Sequence, residues 1–224
     1  MSRIAAFFDL DRTLITVNSG RLWLERERQE KRVSAWQMVE ATFYLFAYSL
    51  HAVDMDGVMV KALQTVKGVD EDTVRSRTRD WFDREVKQHE APGARAALQD
   101  HRDQGHLCVL LTASSPYESE AATAHFGLDA WLSTRYQVVE GRFTGDVVRP
   151  LCYGAGKVVH AERFAAEHGI DIDRSFFYTD SITDLPMLER VQNPRVVQPD
   201  LRLGRLARRR GWPILDWSQA RAGG

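Results

Sequence analysis

The sequence predicts an α/β fold, a doubly wound parallel sheet interrupted by an all-helical insert, and three observations carry that prediction. Four short apolar runs, Ile4 to Phe8, Leu107 to Leu111, Ser175 to Tyr178 and Arg195 to Val197, have the length and flanking residues of strands buried on both faces. Stretches of helical spacing separate them, and strand alternating with helix builds a parallel sheet covered on both sides. Between the first run and Ala91 lie roughly 75 residues with helical spacing and no strand pattern, which reads as an inserted helical domain.

The first run ends in Phe7-Phe8-Asp9-Leu10-Asp11-Arg12-Thr13-Leu14. In an open α/β sheet, sites form where strands end. Side chains alternate along an extended segment, so Asp9 and Asp11 face one pocket while Leu10 turns into the core. Two carboxylates in one pocket repel unless a proton or a cation intervenes. A hard divalent cation such as Mg2+, which prefers oxygen ligands, is the simplest resolution at neutral pH. The plainer alternative is an Asx-type turn that satisfies its own backbone.

The insert reads as helices over Leu22 to Glu30, Ala35 to Val53, Val58 to Val66 and Asp72 to Val86, broken near Gly57, Gly68 and Pro92. Following directly on the acidic strand end, it would act as a lid. Trp36 to Val53 is apolar almost all round but too short, and too polar at Gln37 and Glu40, for a membrane span. It leaves three readings open: a buried helix of the insert, a homodimer contact, or a face for an apolar, lipid-linked phosphate. Arg21, Arg26 and Arg28 read as solvated helix positions.

Ala91 to Gln104 carries Pro92 near its first turn and stops at Gly105, and Tyr117 to Phe126 stops at Gly127; both follow the proline-first, glycine-last pattern of helices. Between them, Leu107 to Leu111 ends in Thr112-Ala113-Ser114, delivering a hydroxyl and a run of amides suited to phosphate oxygens. Tyr136 to Gly145 alternates about Glu140-Gly141 and reads as a hairpin of structural role. Gly154-Ala155-Gly156-Lys157 puts a lysine in a glycine-flanked turn opening the helix Val158 to His168, where the ammonium can reach inward or lie on the surface. Phe176 to Thr179 then feeds a second acidic loop, with Asp180 and Asp184 four residues apart. That spacing lets one carboxylate complete a metal site while the other anchors the loop; simple capping is the alternative. Arg205, Arg208, Arg209 and Arg210 read as the solvated face of a terminal helix, and Ala220 to Gly224 as a frayed end.

The 224 residues include 30 Lys and Arg against 31 Asp and Glu, so a net charge of −1 gives no electrostatic argument for nucleic acid or an anionic membrane. Two cysteines, Cys108 and Cys152, suit a reducing compartment with no disulfide framework. The amino terminus carries no signal-peptide pattern, and the expected location is the cytoplasm.

In this order and spacing, Asp9-Leu10-Asp11-Arg12-Thr13, Thr112, Lys157 and Asp180 with Asp184 resemble the four motifs of the haloacid dehalogenase superfamily. Asp180-Ser181-Ile182-Thr183-Asp184-Leu185-Pro186, with the large insert after the first motif, is similar to its phosphoserine-phosphatase-like subfamily, IB. The resemblance spans essentially the whole chain and implies a Rossmann-like core over 1–14 and 91–224 with a helical C1 cap over 15–90. It also implies a Mg2+-dependent phosphatase acting on a small phosphomonoester. Asp9 would be the nucleophile that forms an aspartyl-phosphate and Asp11 the acid and base. Thr112 and Lys157 would hold phosphate oxygens, and Mg2+ would be bound by Asp9, the backbone carbonyl of Asp11 and Asp180, with Asp184 in support. The acid at Asp11 disfavours the dehalogenase branch, whose leaving group needs no proton.

Three positions depart from the family's pattern. Thr179 stands where many relatives have glycine, and Asn18 stands nine residues after the nucleophile, where phosphoserine phosphatases carry a glutamate for the substrate amine. Ala62, beside Lys61, falls near their carboxylate-binding arginine. Phosphoserine is therefore not the first choice of substrate. A phosphoserine phosphatase proper, a lysophosphatidate-type phosphatase and a phosphotransferase remain alternatives, as does a non-enzymatic protein that binds a partner through the cap.

Overall fold

The computed structural model of the chain describes residues 2–30 and 55–218, and the apolar helix expected over 35–53 lies outside the described residues. In chain order the strands are β1 Ala5–Phe8, β2 Leu107–Leu111, β3 Ala130–Leu132, β4 Arg135–Val139, β5 Arg142–Val148, β6 Phe176–Thr179, β7 Asn193–Val197 and β8 Ile214–Leu215. The described helices are α1 Ser19–Gln29, α2 Met55–Gln64, α3 Glu71–Trp81, α4 Ala94–Asp103, α5 Pro116–Phe126, α6 Ala155–His168, α7 Leu185–Arg190 and α8 Leu201–Arg210. A six-stranded parallel sheet runs β3-β2-β1-β6-β7-β8, with β4 and β5 apart as an antiparallel pair.

The apolar runs are strands because helices cover both of their faces. Along β1, Ala6 and Phe8 point into a core layer with Leu98 of α4 and Ala122 and Phe126 of α5. Ala5 and Phe7 point the other way, against Ala161 and Phe164 of α6, Leu188 of α7 and Leu203 of α8. All four β1 residues are fully buried, and each large apolar side chain so placed contributes about 1.5–3 kcal/mol. From β1 the chain builds outward through β2 and β3, then returns to the other side for β6, β7 and β8. The order therefore reverses between β1 and β6, which is where doubly wound sheets open a crevice at the strands' carboxyl ends. The edge strands β3 and β8 are three and two residues long, too short to leave a period in the sequence.

Packing ties the insert to the rest of the chain in two places that the sequence did not mark. Its neck is closed by Thr16 N–H donating to the His89 carbonyl at 2.8 Å and Ala91 N–H to the Leu14 carbonyl at 2.9 Å. The helix expected over Asp72 to Val86 ends at Trp81 and continues as a wider π-type turn, Phe82–Val86. Trp81, Phe82 and Val86 are buried in the same layer as Leu98 and Phe126, so the exit limb belongs to the core's packing. Conversely, the hairpin β4–β5, turned by Glu140 and Gly141 with positive φ, packs on α2 through Leu63, Val147 and Leu151. Gly68 N–H donates to the Phe143 carbonyl and Phe143 N–H to that of Val69, so the hairpin joins the insert. No helix among the described residues is long and apolar enough to cross a membrane, and both cysteines are free and buried.

Candidate active site

Register gathers the predicted residues at one end of the sheet. Phe8 pairs with Leu110 on one side and Tyr178 on the other, so Asp9, Thr112 and Asp180 all leave the sheet at its carboxyl edge. Asp9 N–H extends the ladder by donating to the Tyr178 carbonyl at 2.9 Å, fixing where its side chain begins. Asp9, Thr112, Asp180 and Asp184 are buried, at 8%, 2%, 7% and 2% exposure.

Lys157 reaches inward. Its ammonium, on a residue 2% exposed, donates to Asp9 Oδ1 at 2.9 Å and Asp184 Oδ2 at 2.7 Å. The approach depends on two glycines. Gly154 has φ 51° and ψ −124°, a conformation only glycine adopts readily. At Gly156 a Cβ would stand 1.9 Å from the Leu151 carbonyl oxygen, so the first turn of α6 can lie against that backbone only without a side chain.

The second acidic loop is braced from both sides. Asp184 Oδ2 also accepts the Thr179 hydroxyl at 2.7 Å, and that hydroxyl receives Ser181 N–H at 3.2 Å. The threonine in place of glycine is thus a working member of the loop. Asp200, the N-cap of α8, accepts Ile182 N–H at 2.8 Å and donates its own N–H to the Asp180 carbonyl. Sequence reading missed Asp200, whose cap position before α8 masks this second duty.

Asp11 accepts Ser19 N–H at 3.0 Å at the start of α1, where the helix dipole favours an anion. Between them Arg12 takes the left-handed backbone (φ 54°), held by its N–H to the Val17 carbonyl, and its charge bears on both Asp11 and Asp180. Thr112 is at the predicted strand end, with its hydroxyl engaged inside its own turn by Ser114. Sequence reading gave no role to Glu118, third in α5 and buried. Ser115-Pro116-Tyr117-Glu118 has the spacing of an ordinary capping box, which hides it.

Burial pushes the Asp9 carboxyl up to about 7, Asp184 and Asp11 adding to the rise and Lys157 restraining it. Asp180 is held well above the usual carboxylate range by burial and then by Asp9 and Asp184, and burial likewise raises Asp11. Burial opposes the Lys157 charge, but Asp184 and Asp9 outweigh it and keep the ammonium above its ordinary value. One buried lysine cannot offset this much carboxylate, and the excess suits a hard divalent cation. Among the described residues no three His, Cys, Asp or Glu side chains cluster as a metal cage. A set of two carboxylates and one backbone carbonyl, its other positions filled by water, requires no such cage.

Residues 6–189 match the family model for haloacid dehalogenase-like hydrolases. Phosphoserine phosphatase SerB1 of Mycobacterium tuberculosis (strain ATCC 25618 / H37Rv) is 34% identical over 223 residues, covering 97% of this chain and 72% of that one. Among solved structures, a protein of unknown function from Bordetella pertussis Tohama I superposes with a TM-score of 0.87 at 24% identity, covering 97% of this chain and 100% of its own. A phospho-aspartyl intermediate analogue of phosphoserine phosphatase does so with a TM-score of 0.70 at 16% identity, covering 98% and 95%. With these two structures the shared feature is the fold.

Proposed function

This chain belongs to the haloacid dehalogenase-like hydrolase family, and we propose that it is a Mg2+-dependent, cytoplasmic phosphatase that hydrolyses a small phosphomonoester through an aspartyl-phosphate. The observation that carries the reading is the hold of Lys157 on Asp9. The ammonium takes Oδ1 of the carboxylate, and no hydrogen bond among the described residues engages Oδ2, which leaves that oxygen to attack.

In the first step Asp9 Oδ2 forms a bond to phosphorus as the bond from phosphorus to the alcohol oxygen breaks, and Asp11 gives its proton to the departing oxygen. Its raised pKa suits that duty. In the second step Asp11, now a carboxylate, takes a proton from water, whose oxygen attacks phosphorus and releases Asp9. Splitting the displacement in two replaces one difficult step with two easier ones. Lys157 and Thr112 hold the non-bridging oxygens of the phosphoryl group, and Asp184 keeps Lys157 in place. Asp9, Asp180 and the Asp11 carbonyl would hold Mg2+, which when bound would supply charge screening between the phosphate and the attacking carboxylate.

The domain reading remains a core over 1–14 and 91–224 with a C1 cap over 15–90, to which the β4–β5 hairpin is joined by packing. A panel of phosphomonoesters tests the function, assayed for released phosphate with Mg2+ and with chelator. Metal-dependent release that disappears in Asp9→Asn is the expected result. Equal turnover by Asp9→Asn would overturn the assignment of the nucleophile.

A further inference from the structure

Glu118 is the buried charged group that the reaction above leaves unused. It is 6% exposed, and its Oε1 has no hydrogen-bond partner. No lysine, arginine or histidine pairs with it among the described residues. Withdrawing a carboxylate oxygen from water without a partner costs on the order of 1–3 kcal/mol, so its persistence asks for a ligand. Its surroundings say where that ligand lies. Burial and then the charge of Asp11 push the Glu118 carboxyl up to about 8, with the Ser19 and Ser114 hydroxyls pulling back. Tyr136 of the hairpin stands on a further side, its hydroxyl held above its ordinary value by burial and by Glu118.

These neighbours belong to different parts of the fold. Asp11 follows β1, Ser114 lies in the turn after β2, Ser19 opens the insert and Tyr136 is on β4. Glu118 therefore sits on the seam between sheet and insert, beside the acid that serves the departing alcohol. The ion pairs of Lys157 lie elsewhere, with Asp9 and Asp184. On the phosphatase reading, the organic part of the ester would lie at this seam, because Asp11 serves the oxygen that joins it to phosphorus. A neutral donor would satisfy Oε1 alone; a cation would also offset the burial and the closeness to Asp11 that together hold this carboxyl up.

Resting on the phosphatase reading, we propose that Glu118 determines specificity by receiving a protonated amine or imidazolium on the alcohol part of the ester, so that preferred substrates are phosphomonoesters of cationic alcohols. The test compares kcat/KM for ω-aminoalkyl phosphates of two to four carbons with n-alkyl phosphates of equal length. Wild type is expected to favour the best-fitting amine by at least about tenfold, a ratio that collapses towards one in Glu118→Gln and is partly kept by Glu118→Asp. A wild-type ratio near one at every length, or an undiminished ratio in Glu118→Gln, overturns the inference. Should that variant fail to fold, calorimetric binding of 2-aminoethylphosphonate against ethylphosphonate by wild type decides it, equal affinities counting against the proposal. Absence of turnover on any ester would instead defeat the phosphatase reading, and the phosphonate comparison would still judge Glu118.

Discussion

Replacing Lys157 by methionine keeps an unbranched side chain one atom shorter and removes the charge that two buried carboxylates share. The ammonium is bonded to Asp9 at 2.9 Å and to Asp184 at 2.7 Å, with almost no water to take over. Breaking a buried pair by removing one partner costs about 3–5 kcal/mol, because the orphaned charge stays behind. At about 2–4 °C per kcal/mol for a chain of this size, Lys157→Met should melt roughly 6–20 °C below wild type at pH 8 without divalent metal. The pH dependence fixes the cause. The folded-state pKa of Asp9 is raised from 3.8 to about 7, so between those values the native state binds more protons than the unfolded chain. Stability therefore falls as pH rises through that window. Lys157 restrains the rise, so removing it extends the window upward, and the deficit of the variant should be greatest at pH 8 and shrink at pH 5.5, where Asp9 takes a proton. Urea unfolding of both proteins at pH 5.5, 7 and 8 measures this. A deficit below 1 kcal/mol at pH 8, or one that grows on acidification, would refute the reasoning.

Three further outcomes follow from the same site. Gly156→Ala drives a methyl to 1.9 Å from the Leu151 carbonyl oxygen, so α6 must move. Calorimetry should register a loss of about 2–4 kcal/mol, and steady-state assays at least about a hundredfold loss of kcat from a displaced Lys157. Thr179→Val leaves Asp184 Oδ2 and Ser181 N–H without the hydroxyl that bridges them; a loss of about 1–3 kcal/mol in denaturant titration is expected, with Thr179→Ser recovering most of it. Added Mg2+ should raise the melting temperature more at pH 8 than at pH 6, because metal and protons compete for the raised carboxyls of Asp9 and Asp180. An equal rise at both values, or one unaffected by Asp180→Asn, would show that the ion binds elsewhere.

What the sequence disclosed and what it hid divide along a physical line. Ile4 to Phe8 and Leu107 to Leu111 were legible because a strand buried on both faces needs an unbroken apolar run, and β1 and β2 lie within those limits. The acidic and hydroxyl residues after such runs were legible for the same reason, since the sheet's register alone carries Asp9, Thr112 and Asp180 to one edge. β3 and β8 left no mark because two or three residues have no period. The split of the expected helix at Trp81, the seating of the hairpin on α2 and the second duty of Asp200 were hidden because each depends on a partner distant in sequence: Leu98 and Phe126, Leu63, and Ile182. Glu118 was hidden twice, by a spacing that ordinary capping explains and by neighbours, Asp11, Ser19 and Tyr136 among them, that are distant in sequence.

That division separates reaction type from substrate. Asp9, Thr112 and Asp180 sit at the ends of central strands, positions that follow from a sheet any chain of this fold must build, and Lys157 reaches them from the first turn of α6. The groups on the seam around Glu118 come from an α5 position, the first residue of α1 in the insert and a hairpin strand, none of which the sheet's hydrogen bonding dictates. On the proposed assignments, a substitution at Glu118, Ser19 or Tyr136 would change what the seam accepts without disturbing the bond between Lys157 and Asp9, whereas a change at Asp9 or Lys157 would dismantle the chemistry. Specificity in this chain is therefore free to vary at the seam while the phosphate end stays fixed. The buried Glu118 carboxyl, with one oxygen unpartnered and its proton affinity raised by burial and by Asp11, is the feature on which the proposed preference of the seam for a cation rests.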